Sequence, residues 1–190
     1  MQGTLIGRCA EHVIRSCMFG HAIADAMGVP VEFSDRSQRR RDPVTGYRGY
    51  GAHDVPAGTW SDDTSMALAT LDSLAHGLDC TDMMERFCDW KLHAAYTATG
   101  VVFDMGITTS KALSQFKQGV PALSCGLSGE YDNGNGSLMR IIPAALYCKY
   151  TKKHASARDA DSVSGKVDGA RGYHTNQLSH KQQKIKYNES

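Results

Sequence analysis

Apolar positions recur at helical spacing through most of the first 150 residues. Leu5, Cys9, Val13, Cys17 and Met18 share one face, and the pattern runs on through Ala22 to Met27 until Gly28 and Pro30 end it. A second helix is predicted after Gly58-Thr59-Trp60, with Ala67, Leu71, Leu74, Ala75 and Leu78 on one side. A third is predicted from a Thr81-Asp82 cap through Met84, Phe87, Cys88 and Lys91, and a fourth over 104–117 with Met105, Thr109, Ala112, Leu113 and Phe116. A fifth starts near 136 and carries Ile141, Ile142, Ala145 and Leu146. Between the first two, residues 34–58 read as loop: basic at Arg39-Arg40-Arg41 and broken by Pro43, Gly46, Gly49, Gly51, Pro56 and Gly58. No period-two run predicts a strand. The expected class is all-α.

Beyond Tyr150 the pattern stops. Residues 151–190 offer only Val163, Val167, Tyr173, Leu178, Ile185 and Tyr187 as large apolar side chains. Six in forty bury too little surface to offset the entropy of ordering the chain. The division is therefore a helical unit over 1–150 and a polar, basic, disordered tail over 151–190. The tail has eight Lys/Arg against four Asp/Glu, a net +4, which leaves −3 on the first 150 residues of a chain whose total is +1. That balance gives no case for nucleic acid or an anionic membrane surface as a partner. Arg8, Glu11, His12 and Arg15 interrupt the early apolar run, so no secretory signal is read, and no stretch has the ~20 apolar residues of a membrane span. Six cysteines without a C-x-x-C pair fit a reduced, cytoplasmic setting.

Four stretches carry chemistry. In Gly58-Thr59-Trp60-Ser61-Asp62-Asp63-Thr64, Ser61 is a favoured N-cap and two aspartates in the first turn suit the helix dipole. The same oxygens suit a hard cation such as Mg²⁺, Mn²⁺ or Ca²⁺. Consecutive helical residues point about 100° apart, so Asp62 and Asp63 reach two ions or bridge them rather than chelate one. In Ala24-Asp25-Ala26-Met27-Gly28-Val29-Pro30-Val31-Glu32-Phe33, a helix end with Gly28 as left-handed cap and Pro30 as stop accounts for those two residues but not for Glu32, a carboxylate between apolar neighbours and so a candidate acid or base. In Tyr131-Asp132-Asn133-Gly134-Asn135-Gly136-Ser137-Leu138-Met139-Arg140, a Gly-rich turn leads to a helix, an arrangement that can hold phosphate on backbone N–H groups. In Val102-Phe103-Asp104-Met105-Gly106-Ile107-Thr108-Thr109, Asp104 is a helix cap or a further functional carboxylate.

Together and in this order, ADAMGVPVEF, GTWSDDTSMAL, FDMGITTSKAL and NGNGSLMRIIPAAL resemble the ADP-ribosylglycohydrolase family, over residues of about 10–150. The resemblance implies an all-α fold and hydrolysis of the bond between ADP-ribose and a protein side chain. It implies a two-ion Mg²⁺ or Mn²⁺ site with Ser61, Asp62 and Asp63 as ligands, Glu32 as the group that activates water, and Asp104 against the substrate ribose. Asn135, Gly136, Ser137 and Met139 fall on the loop that holds the diphosphate. The implied partner is an ADP-ribosylated protein or a small molecule containing ADP-ribose. The family's further ligands come from a late D-x-D-[ST] element, whereas Asp159-Ala160-Asp161-Ser162 lies early and in the polar tail and reads as chance. The expectation is a domain lacking its C-terminal half and with little or no turnover of its own. The alternative is a non-catalytic relative that binds ADP-ribose or serves structurally, as crystallins do.

Overall fold

The computed structural model describes residues 2–127, 129, 132 and 134–151, with side chains from residue 9 onward. Asp159–Ser162, and with it the tail from residue 152 on, lies outside the described residues. The elements are α1 (Gln2–Gly28), α2 (Arg36–Arg41), α3 (Asp62–His76), α4 (Cys80–His93), α5 (Ile107–Lys117) and α6 (Ile141–Tyr150), with 3₁₀ turns at Val29–Val31 and Ala122–Ser124. There is no strand among the described residues, so the all-α expectation holds. None of these helices is long and apolar enough to cross a membrane.

Helix α3 is the centre, packed against α1, α4 and α6. The spacing predicted one buried stripe on it. Instead Met66, Ala67, Ala69, Thr70, Ser73 and Leu74 are all buried, while Ala75 is exposed and Leu78 lies past the end. Small side chains on several faces let three neighbours approach at once. Two of its buried hydroxyls are satisfied within the helix: Ser65 Oγ donates to the Ser61 carbonyl and Thr70 Oγ1 to that of Met66, both at 2.8 Å. The core under α3 is Met83, Met84, Phe87 and Trp90 of α4 with Leu113 of α5 and Met139. A buried side chain of this size contributes about 1.5–3 kcal/mol.

Several boundaries differ from expectation for local reasons. The α4 cap is Asp79, which accepts from the Thr81 and Asp82 N–H groups, not Thr81-Asp82 itself. Asp104 does not cap α5. Gly106 occupies that position and brings no side-chain hydrogen bond. Residues 135–140 form turns and α6 begins at Ile141, burying Pro143, Ala144, Leu146 and Cys148 rather than Ile141, Ile142 and Ala145. Pro143 in its first turn fits there, where the missing N–H has no helical partner to lose. Within the stretch read as loop, Asp35 accepts from the Gln38 N–H at 2.8 Å and starts α2. Helix α2 has no buried residue, so no apolar period could reveal it.

Candidate active site

The ends of three elements meet at the start of α3. From the last turns of α1, Asp25 reaches that end as a second cap. Its carboxylate accepts from the Ser61 N–H (3.0 Å) and hydroxyl (2.8 Å) and from the Thr64 N–H (3.1 Å) and hydroxyl (2.6 Å). Ser61 also accepts from the Asp63 N–H at 3.2 Å, as its reading as N-cap required. A carboxylate on this helix end is favoured by charge and by donor geometry together. Asp25 stands in the ADAMGVPVEF stretch but was given no role, because its partners lie 36 and 39 residues away.

Asp62 is buried and Asp63 half-buried. Burial pushes Asp62 up to about 8, and the Asp63, Asp104 and Asp25 carboxylates add to it, against one N–H donated by Gly106. Burial likewise pushes Asp63 up to about 6, with Asp25, Asp104 and Glu32 adding and His21 opposing. These are acids crowded by acids.

Glu32 follows the Val29–Val31 turn, and the structure joins it to a residue that sequence reasoning missed. His53 Nε2 lies 2.5 Å from Glu32 Oε2 and 3.9 Å from Asp104 Oδ2. The Glu32 carboxyl is raised, first by burial and then by Asp104, while its hydrogen bond to His53 pulls it down. The signal available for His53 was its place in the Gly-rich stretch ahead of Trp60, with no local pattern to mark it.

A cleft of about 280 Å³ opens beside Asp62, lined by Gly106, Ile107, Thr108 and Thr109 on one side and Gly134, Asn135, Gly136 and Met139 on the other. The first wall is the start of α5, which has no side-chain cap. The structure thus brings Asn135, Gly136 and Met139 to Asp62. Ser137 is buried and is not part of the cleft wall.

Whether these residues suit a divalent cation turns on their donors. The Ser61 hydroxyl commits its proton to Asp25 and one lone pair to the Asp63 N–H, which leaves one lone pair uncommitted by these two contacts. Asp62 and Asp63 add carboxylate oxygens whose mutual repulsion a dication would relieve. That donor set fits Mg²⁺ or Mn²⁺. Among the described residues, the group of three ligating side chains gathered within 4.8 Å is Glu32, His53 and Asp104, a neighbouring cluster.

Comparison with known proteins bears on the family and the fold. Residues 10–170 match the ADP-ribosylglycohydrolase family. The chain is 33% identical over 143 residues to an ADP-ribosylarginine hydrolase, Tri1, of Pseudomonas putida, covering 72% of this chain and 36% of that protein. It is 30% identical over 138 residues to the ADP-ribosyl-[dinitrogen reductase] glycohydrolase of Rhodospirillum rubrum, covering 67% of this chain and 42% of that one. A solved structure described as an ADP-ribosylglycohydrolase-related protein complex superposes with a TM-score of 0.61 at 30% identity, over 81% of this chain and 48% of the other. The chain spans less than half the length of each of these three.

Proposed function

The chain belongs to the ADP-ribosylglycohydrolase family, and we propose that it carries the working half-site of a metal-dependent hydrolase that frees ADP-ribose from arginine side chains of modified proteins. The observation that carries this reading is the cleft itself. One end holds the crowded Asp62 carboxylate, and the walls are an uncapped helix start and a Gly-rich turn. Few ligands need an acidic end and an anion-receptive wall side by side, and a ribosyl diphosphate on a cation is one. Arginine as the released side chain is inferred from the relative named an ADP-ribosylarginine hydrolase.

In this reading Ser61, Asp62 and Asp63 hold Mg²⁺ or Mn²⁺. Bound there, the ions supply Lewis-acid polarisation of the ribose. The α5 start and the 134–136 turn hold the diphosphate, and Asp104 accepts from ribose hydroxyls. Glu32 takes a proton from water as its oxygen bonds the anomeric carbon. The bond from that carbon to the guanidine nitrogen breaks, and the proton passes to the leaving nitrogen. General-base help of this kind contributes about 10²–10⁴-fold.

The test is release of labelled ADP-ribose from arginine-linked and serine-linked protein substrates, with Mn²⁺ or with chelator. Release from the arginine-linked substrate only, abolished by chelator and by Asp63→Ala, is expected. Binding of ADP-ribose without any release would replace the hydrolase reading by a binding one.

A further inference from the structure

We propose that His53 is a positioning residue, whose Nε2–H holds one oxygen of Glu32 and leaves the other for the attacking water. The proposal rests on the base assigned to Glu32 above. With Glu32 ionised the carboxylate can only accept, so the 2.5 Å contact makes Nε2 the donor, and the neutral Nε2–H ring and the imidazolium both supply it.

Three observations single this imidazole out. Its side chain is only 14% exposed, and its ring makes tilted contacts with Phe33 (centroids 5.8 Å apart) and Phe103 (5.2 Å). Those aromatics are the chain neighbours of Glu32 and Asp104, so each carboxylate comes with an aromatic contact to the ring.

The loop bearing His53 is fastened to the turn bearing Glu32. The Ala52 N–H donates to the Pro30 carbonyl at 3.1 Å and the Tyr50 N–H to that of Val55 at 2.8 Å. Gly51 lies so close to Pro30 that a Cβ there would run into the Pro30 carbonyl.

The backbone around the ring is strained. Phe33 (φ 60°), Asp54 (φ 51°) and Asp104 (φ 55°) all occupy the left-handed region without being glycine. Such backbone persists where surroundings over-determine it, most often at functional sites. One such residue follows Glu32, one follows His53, and the third is Asp104 itself.

The experiment compares the parent chain with His53→Phe, which fills the space beside the aromatics but cannot donate, and His53→Gln, whose amide N–H reaches a similar point. Protein labelled with ¹³C at glutamate carboxyls reports Glu32 directly, with Glu32→Gln giving the assignment. Glu32 should titrate at a higher pH in His53→Phe than in the parent and return toward the parent in His53→Gln. On the arginine-linked substrate, kcat should fall roughly 10–100-fold in His53→Phe with KM unchanged, the range seen when an orienting partner is removed, and should recover in His53→Gln. An unmoved Glu32 titration in His53→Phe, or no difference between Phe and Gln, overturns the proposal. A responsive Glu32 in a parent that releases no ADP-ribose supports the His53 contact and overturns the hydrolase reading instead.

Discussion

Asp25 holds Ser61 by both of its oxygens: Oδ2 takes the backbone N–H at 3.0 Å and Oδ1 takes the hydroxyl at 2.8 Å. This ties the C-terminal end of α1 to the start of the central helix and fixes where the Ser61 lone pair, Asp62 and Asp63 point. The carboxylate is both a structural clamp and a neighbour of the acids it positions.

Asp25→Asn should therefore destabilise. The amide keeps one acceptor and presents N–H donors to the N–H and hydroxyl donors of Ser61 and Thr64. A hydrogen bond to a charged group is worth about 1.5–3 kcal/mol, and relief of repulsion on Asp63 returns part of that, so a net loss of roughly 2 kcal/mol is expected. Urea unfolding monitored by far-UV circular dichroism checks it. A midpoint equal to the parent's would mean that the four contacts contribute nothing net.

Stability should also fall as pH rises from 5 to 8 when no divalent cation is present. Burial and neighbouring carboxylates push Asp62 up to about 8 and Asp63 up to about 6, from the 3.8 of an ordinary aspartate. The folded state thus keeps each proton longer than the unfolded state does. The stability so contributed is complete below about pH 4 and is lost as pH climbs through about 6 for Asp63 and about 8 for Asp62. Asp35, Asp42 and Asp82 shift the other way, below 3.8, and stay ionised across this window. Thermal unfolding in chelator should show the slope, and Asp62→Asn should flatten it and be the more stable protein at pH 8. Mn²⁺ should raise the parent's midpoint at pH 8 but not that of Asp62→Asn/Asp63→Asn. Parallel curves for parent and variant would contradict the crowding.

What the sequence disclosed follows from how local each signal is. Ser61 as cap, the end of α1 at Gly28 and the all-α class depend on neighbours within a few residues, and all three appear, except that Gly28 keeps right-handed helical backbone (φ −75°) and leads into the Val29–Val31 turn instead of forming a left-handed cap. The burial of α3 on several faces was hidden because Ala67, Ser65, Thr70 and Ser73 look like a polar or neutral face until three helices close on them. Asp25 and His53 were passed over because their chemistry depends on Ser61, Thr64 and Glu32, which only the fold brings near. Asp104 was left open between cap and site. Its left-handed backbone and the Gly106 cap remove the first option, since a residue two positions ahead of the cap cannot close the helix end.

The loop that carries His53 should be sensitive at Gly51. Its backbone runs against Pro30, and Ala52 donates to the same carbonyl that a Cβ would strike. Because the obstacle is backbone, Gly51→Ala must push the loop away from the Val29–Val31 turn. Overpacking of this kind costs about 1–3 kcal/mol. Hydrogen exchange should show faster exchange at the Ala52 N–H with little change at Leu74 or Phe87 in the core. Unchanged protection at Ala52 would show that the loop is not fastened there.

The close approach of Gly134 to the start of α5 gives the last prediction. A Cβ on Gly134 would lie 2.9 Å from Thr108 Oγ1, across the mouth of the cleft. The obstacle here is a short side chain rather than backbone, so it can be removed. Gly134→Ala should widen the gap between the Gly-rich turn and the first turn of α5, weakening ADP-ribose binding about tenfold, equivalent to roughly 1.4 kcal/mol. Thr108→Ala should have a smaller effect alone, because it removes one side-chain oxygen while leaving the α5 backbone N–H groups in place. The two together should bind better than Gly134→Ala alone, because the methyl group then occupies the volume that the threonine vacated. Non-additivity of that sign is diagnostic of direct contact between the two positions. Calorimetric titration with ADP-ribose in Mn²⁺ measures all four proteins of the cycle. Strictly additive losses would mean that Gly134 and Thr108 do not face each other when ligand is bound, and the two walls would then have to act on ADP-ribose separately.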